Sequence, residues 1–161
     1  MTPAEYNACV EEHSDALFRY ALRHTRCRDQ AHDVVQECFL RLWMKLDKVE
    51  SGKGRSYLFT MAHNLMVSQA RRSGRVLRME PWHEQVRSCR QGEPDLKSLL
   101  ERGLARLPQA QRSVLVLRDQ EGHSYEEIAE ITGLSMDQVK VYIFRGRKAM
   151  QRYLGSPAMV A

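Results

Sequence analysis

The chain has 161 residues, a moderate apolar share and a net charge of +5. No stretch reaches the roughly 20 consecutive apolar residues of a membrane helix, which excludes membrane insertion from the expectations. The opening MTPAEYNACVEEHSDAL has neither the basic nor the apolar segment of a secretory signal, so a cytoplasmic protein is expected.

In chain order, almost every element reads as helix. A first helix carries Ala16, Leu17, Tyr20 and Ala21. A second is marked by Ala31, Val34, Val35, Cys38, Phe39, Leu42 and Leu46, which recur at steps of three and four. Its outer face holds Asp33, Gln36, Glu37, Arg41 and Lys45. Trp43 falls at the edge of the apolar stripe, where it either packs on a neighbouring helix or anchors a partner. The glycines of Val49–Arg55 predict a loop. A third helix is expected from about Ser56 to Arg72, with Leu58, Phe59, Ala62, Leu65 and Met66 inward. Its far end is polar and basic, with Asn64, Gln69, Arg71 and Arg72. Basic residues with aromatics nearby suit single-stranded nucleic acid, whose bases stack while its phosphates pair.

Residues 73–94 lose the periodicity and contain Gly74, Pro81, Gly92 and Pro94, which reads as a linker with at most a short helix near Trp82. Helical pattern resumes at Asp95 and runs to about Arg106. Pro108 opens the next helix, and Gly122 ends it.

The C-terminal part carries the sharpest signal. Ser124–Glu127 and Ser135–Gln138 are two capping boxes eleven residues apart, and Gly133 stands where the first of the two helices must stop. Ile128, Ala129, Leu134, Val139 and Ile143 supply the apolar contacts of a helix-turn-helix. Asp137, Gln138, Val141, Tyr142 and Arg145 are left outward, on the face such motifs insert into the DNA major groove. Arg147, Lys148 and Arg152 lie further along and suit phosphates better than base edges, and Lys140 is also expected at the DNA. Charge agrees: residues 1–70 balance, with nine basic and nine acidic side chains, whereas residues 138–152 hold five basic and no acidic ones.

Catalysis and metal binding find little support. The four cysteines form no C-x-x-C pair, and His24 with Cys27 lacks the second pair that zinc requires. The histidines His13, His24, His32, His63, His83 and His123 have no partnered nucleophile. No cofactor, no metal and no enzymatic activity are expected. Taken residue by residue, these features also fit a stand-alone helix-turn-helix transcriptional regulator.

DQAHDVVQECFLRLWMKLDKVE followed by YLFTMAHNLMVSQARR resembles domain 2 of bacterial sigma factors, and LARLPQAQRSVLVLRDQEGHSYEEIAEITGLSMDQVKVYIFRGRKAM resembles their domain 4. With nothing larger between them, the chain resembles the extracytoplasmic-function (ECF) class. The resemblance implies an all-α fold of two small helical domains, residues 1–75 and 96–156, joined by a flexible linker, residues 76–95. It implies core RNA polymerase, promoter DNA and an anti-sigma factor as partners. Asp33, Gln36, Glu37, Phe39 and Trp43 match the polymerase-binding helix. The Glu50–Arg55 loop matches the loop that captures a flipped base, and Tyr57, Asn64, Ser68, Arg71 and Arg72 match the contacts to the −10 strand. The helix from Asp137 to Lys148 would read the −35 element. Two positions depart from the common pattern: Gln138 where many members have threonine, and Tyr57 in place of a tryptophan.

Overall fold

The computed structural model of the chain describes residues 1–79 and 96–155, the side chains of 73–79 excepted. The chain divides into two compact units, one within residues 1–90 and one within 91–161. The linker proper and the segment around Trp82 lie outside the described residues.

The first unit is built on three helices that all touch one another: α1 (Pro3–Thr25), α2 (Arg28–Met44) and α3 (Gly54–Met79). Thr2 and Glu5 form a capping box, and Pro3 occupies the first turn, where a missing N–H is harmless. α1 ends at Arg26, which adopts left-handed backbone (φ 57°) and donates its N–H to the Leu22 carbonyl. This sharp corner lets α2 fold straight back on α1. Leu17, Tyr20, Ala21, Ala31, Val34, Cys38, Leu42, Leu58, Phe59 and Ala62 close the core. Each large apolar side chain fully buried there contributes about 1.5–3 kcal/mol relative to exposure. Cys38 belongs to this core, and burial pushes its thiol up to about 12.

α3 runs seven residues past the expected end at Arg72. Gly74 lowers helix propensity by only ~1 kcal/mol and does not break a helix by itself. The next proline in the sequence is Pro81.

The second unit comprises α4 (Leu96–Arg106), α5 (Gln109–Leu115), α6 (Tyr125–Thr132) and α7 (Met136–Leu154). α7 packs against the other three. α5 continues into a π turn over Val116–Gln120, a feature with no sequence signature. The turn buries Val116 and Leu117 and leaves Asp119 exposed beside α7. The α4–α7 crossing is close because residue 103 is glycine: a Cβ there would sit 2.9 Å from Met150 and Tyr153 side-chain atoms. Among the described residues no helix is long and apolar enough to cross a membrane.

Candidate promoter-binding surfaces

The corner between α6 and α7 is assembled as the capping residues require. Ser124 Oγ accepts from the Glu127 N–H at 3.1 Å, and Glu127 Oε1 accepts from the Ser124 N–H at 3.1 Å. Gly133 takes left-handed backbone (φ 78°), a conformation that L side chains resist, and donates to the Ala129 carbonyl at 2.9 Å. Ser135 then caps α7 with Gln138. Ile128, Ile131, Val139 and Ile143 are buried between the two helices. The result is a helix-turn-helix with α7 as its second, outward helix.

On α7, Asp137, Gln138, Lys140, Val141, Arg145, Arg147 and Lys148 are exposed, whereas Tyr142 is half-buried at the edge of the face. Two of these residues already have hydrogen-bond partners within the unit. Gln138 Oε1 accepts from the Ser135 N–H at 3.0 Å, so the glutamine at the departing position completes a capping box. Arg147 forks onto Asp119, with Nε 3.0 Å from Oδ2 and Nη2 bonded to Oδ1. The helix also exposes Phe144, which sequence reading missed. Its place three residues after Val141, on the face opposite the apolar stripe, was the available signal.

The basic end of α3 forms an open groove of about 450 Å³ lined by Asn64, Ser68, Arg71 and Arg72, with Arg41, Met61 and Leu65. Four of the five residues matched to the −10 strand thus converge. Tyr57 does not line this groove, and its hydroxyl is buried without a hydrogen-bond partner. That burial holds the Tyr57 hydroxyl above its ordinary pKa. Arg41 joins the groove from α2, with Nη1 3.4 Å from Met61 Sδ. The 50–53 loop, before the start of α3, is tied to α1 by Ser51 Oγ, which donates to Glu5 Oε1 at 2.8 Å.

Asp33, Gln36, Leu40, Trp43 and Met44 fall on one exposed ridge of α2, at steps of three and four. Its C-terminal end is apolar: Leu40, Trp43 and Met44 are 53, 48 and 71 % exposed. Trp43 does pack, edge-on against Tyr6, yet about half of it faces solvent. Phe39 is half-buried with its ring 6.5 Å from that of Tyr6. Glu37 is bonded to Arg41 at 2.6 Å and flanks the ridge. Three large apolar side chains are thus grouped in solvent on one helix of a small unit. Leu40 and Met44 were legible only as the continuation of the Asp33–Gln36 ridge.

Among the described residues no three His, Cys, Asp or Glu are grouped to hold a metal ion. A helix-turn-helix unit and a second helical unit with a basic groove define a nucleic-acid-binding factor. The family model described as Sigma-70 region 2 matches residues 9–76, and that described as Sigma-70, region 4 matches residues 97–150. The chain belongs to the sigma-70 family of transcription initiation factors, in its ECF class. The family as a whole is not one of enzymes.

The chain is 32 % identical over 152 residues to the ECF RNA polymerase sigma factor SigL of Mycobacterium tuberculosis, covering 89 % of this chain and 85 % of SigL. It is 30 % identical over 158 residues to the ECF RNA polymerase sigma factor SigE of Mycolicibacterium smegmatis. That match covers 92 % of this chain but only 61 % of SigE. Among solved structures, the sigma factor RpoE in complex with the anti-sigma factor NepR from Bartonella quintana superposes with a TM-score of 0.74 at 27 % identity, covering 90 % of this chain and 93 % of RpoE. CnrH in complex with the cytosolic domain of CnrY gives 0.68 at 27 % identity, covering 92 % of this chain and 86 % of CnrH.

Proposed function

We propose that this chain docks on core RNA polymerase through the exposed ridge of α2 and directs it to a promoter by contacts from both units. The observation that carries this reading is the pairing, in one chain, of an apolar-ended helix ridge with two separate DNA-suited surfaces. Asp33, Gln36, Glu37, Phe39 and Trp43 would engage the polymerase. Asn64, Ser68, Arg71 and Arg72 would hold the unpaired −10 strand, with Tyr57 supporting the groove from within. Asp137, Gln138, Lys140, Val141, Tyr142, Arg145, Arg147 and Lys148 form or flank the face toward the −35 element.

The mechanism needs no catalytic residue and no cofactor. A base is read in a pocket only after it leaves the stack. A surface that holds unpaired bases therefore biases the duplex toward the melted state, with stacking contributing ~1–3 kcal/mol per base. The duplex contact made by α7 keeps the complex in place while the strands separate. The protein acts in the cytoplasm, where polymerase and chromosome are. Two solved structures similar to this chain are complexes with a second protein, and in one of them that protein is described as an anti-sigma factor. An anti-sigma protein covering the α2 ridge or α7 would hold this chain inactive.

The test is transcription by core polymerase with and without this protein on genomic fragments from the native cell. Initiation at defined sites only when the protein is added is the expected result. Tight sequence-specific binding to duplex DNA without polymerase, and no association with core enzyme, would instead favour a stand-alone regulator.

A further inference from the structure

α7 turns Val139, Ile143, Gly146 and Met150 inward, yet leaves two large apolar side chains in solvent: Val141 at 41 % and Phe144 at 62 % exposure. At 3.6 residues per turn, Asp137, Val141, Phe144 and Lys148 fall along one ridge opposite the buried stripe. Exposed Lys140, Arg145 and Arg152 border that ridge, and residues 138–152 contain no acidic side chain. Past Asp137 at its start, the surface is therefore apolar along its centre, at Val141 and Phe144, and positive at its margins.

Duplex DNA offers the complementary pattern: phosphates on both walls of the major groove and, on its floor, one apolar group, the 5-methyl of thymine. The Lys148 ammonium lies 5.4 Å from the centroid of the Phe144 ring, a cation–π contact that restrains the ring and holds the ammonium beside it. Three residues of helix advance about 4.5 Å along the axis. That is close to the ~3.4 Å step between base pairs.

We propose that Val141 and Phe144 are specificity-determining residues that read the 5-methyl groups of thymines at neighbouring base pairs of the upstream promoter element. This inference rests on the reading of α7 as the duplex-binding helix and adds the chemistry it selects.

The experiment uses the full chain bound to bacterial core RNA polymerase and two pools of random-sequence duplex. One pool contains thymidine and the other deoxyuridine, which pairs identically but lacks the methyl. Thymine is expected at two neighbouring positions of the upstream motif from the first pool. Burying one methyl or methylene is worth about a fourfold change in affinity, so preference at each position should weaken about fourfold in the second pool. Val141→Ser should abolish the preference at one position and Phe144→Ser at the other, and both residues are exposed, so the fold is unaffected. Equal selection of the same motif from both pools, or an upstream motif without thymine, overturns the proposal and leaves promoter binding by α7 standing. No upstream motif from either pool overturns both.

Discussion

Arg147 and Asp119 are joined side to side across the second unit, the guanidinium fork of α7 meeting the carboxylate of the π turn. The carboxylate raises the guanidinium pKa further, so the charge is permanent, but much of it is answered within the protein. Arg145, two residues earlier, is exposed on the outward face. The two arginines should therefore behave differently. Arg145→Ala should weaken upstream-element binding by ~1–3 kcal/mol if it meets a base edge. Arg147→Ala should change it by less than ~1 kcal/mol, the usual worth of an exposed ion pair. Affinity of holoenzyme for a promoter fragment, measured for both variants across a salt series, tests the distinction. An equal loss for the two would mean that Arg147 leaves Asp119 for phosphate.

Trp43 combines a packed edge against Tyr6 with a solvent-facing half, the arrangement of an interface anchor already held in position. Rigid aromatic groups dominate binding when they become fully covered. Trp43→Ala should weaken association with core polymerase by ~2 kcal/mol, about thirtyfold. Melting of the isolated protein should shift far less than it does for Leu42→Ala, which removes a core side chain. Fluorescence-detected titration with core enzyme reads the first quantity. Unchanged polymerase affinity would show that the α2 ridge is not the docking surface.

His63 is buried, with Nδ1 3.1 Å from the Tyr20 hydroxyl, and burial pulls its pKa down to about 4. In the unfolded chain a histidine titrates near 6.5. Between those values the unfolded state binds the extra proton, so stability falls as pH is lowered from about 6.5 to about 4. The full effect is about 3 kcal/mol. His63→Gln, which keeps an acceptor for Tyr20, should remove that part of the acid sensitivity. The difference between wild type and variant in denaturant midpoints at pH 7, 5.5 and 4.5 isolates it from the titrating carboxylates. Parallel pH profiles would place His63 in contact with water.

The elements that were legible in the sequence are those whose ends carry side-chain chemistry. Ser124, Gly133, Ser135 and Gln138 each have a local reason to stand where they do, and the helix-turn-helix follows from them. The groove of Asn64, Ser68, Arg71 and Arg72 was half legible: periodicity put these residues near one face, while Arg41 joins only through tertiary packing of α2 on α3. Three features were not readable. Arg26 makes a left-handed corner without glycine or asparagine to announce it, and the tight return of α2 imposes it. The π turn at Val116–Gln120 carries no local sequence signal. The pairing of Arg147 with Asp119 depends on that turn. A fourth was legible and overlooked: Thr2-Pro3-Ala4-Glu5 is a capping box with proline in its first turn, and it starts α1 well before the apolar periodicity becomes visible.

The same N-terminal helix fixes the entry to α3. A Cβ built on Gly54 would lie 2.7 Å from Cys9 Sγ and 2.9 Å from Met1 Cε. Cys9 is buried on α1, and its short side chain has no distal end that can swing aside, so the clash is relieved only by separating the helices. Gly54→Ala should therefore destabilise the first unit by ~1–3 kcal/mol, the usual penalty of overpacking, despite alanine's better helix propensity. Cys9→Ala alone should be mildly destabilising through a small cavity. Combined with Gly54→Ala it should recover much of the loss, because the sulfur that blocks the new methyl is gone. A double-mutant cycle of melting free energies should show a favourable coupling of at least ~0.5 kcal/mol, the scale on which touching residues depart from additivity. Strict additivity would mean that α3 enters its helix without contact with Cys9. The 50–53 loop precedes Gly54 directly and is bonded to α1 through Ser51 and Glu5, so a displaced α3 entry should move the loop as well. Open-complex formation by Gly54→Ala should accordingly fall on a fully duplex promoter and recover on a template whose −10 region is already unpaired, with the upstream contact by α7 unchanged.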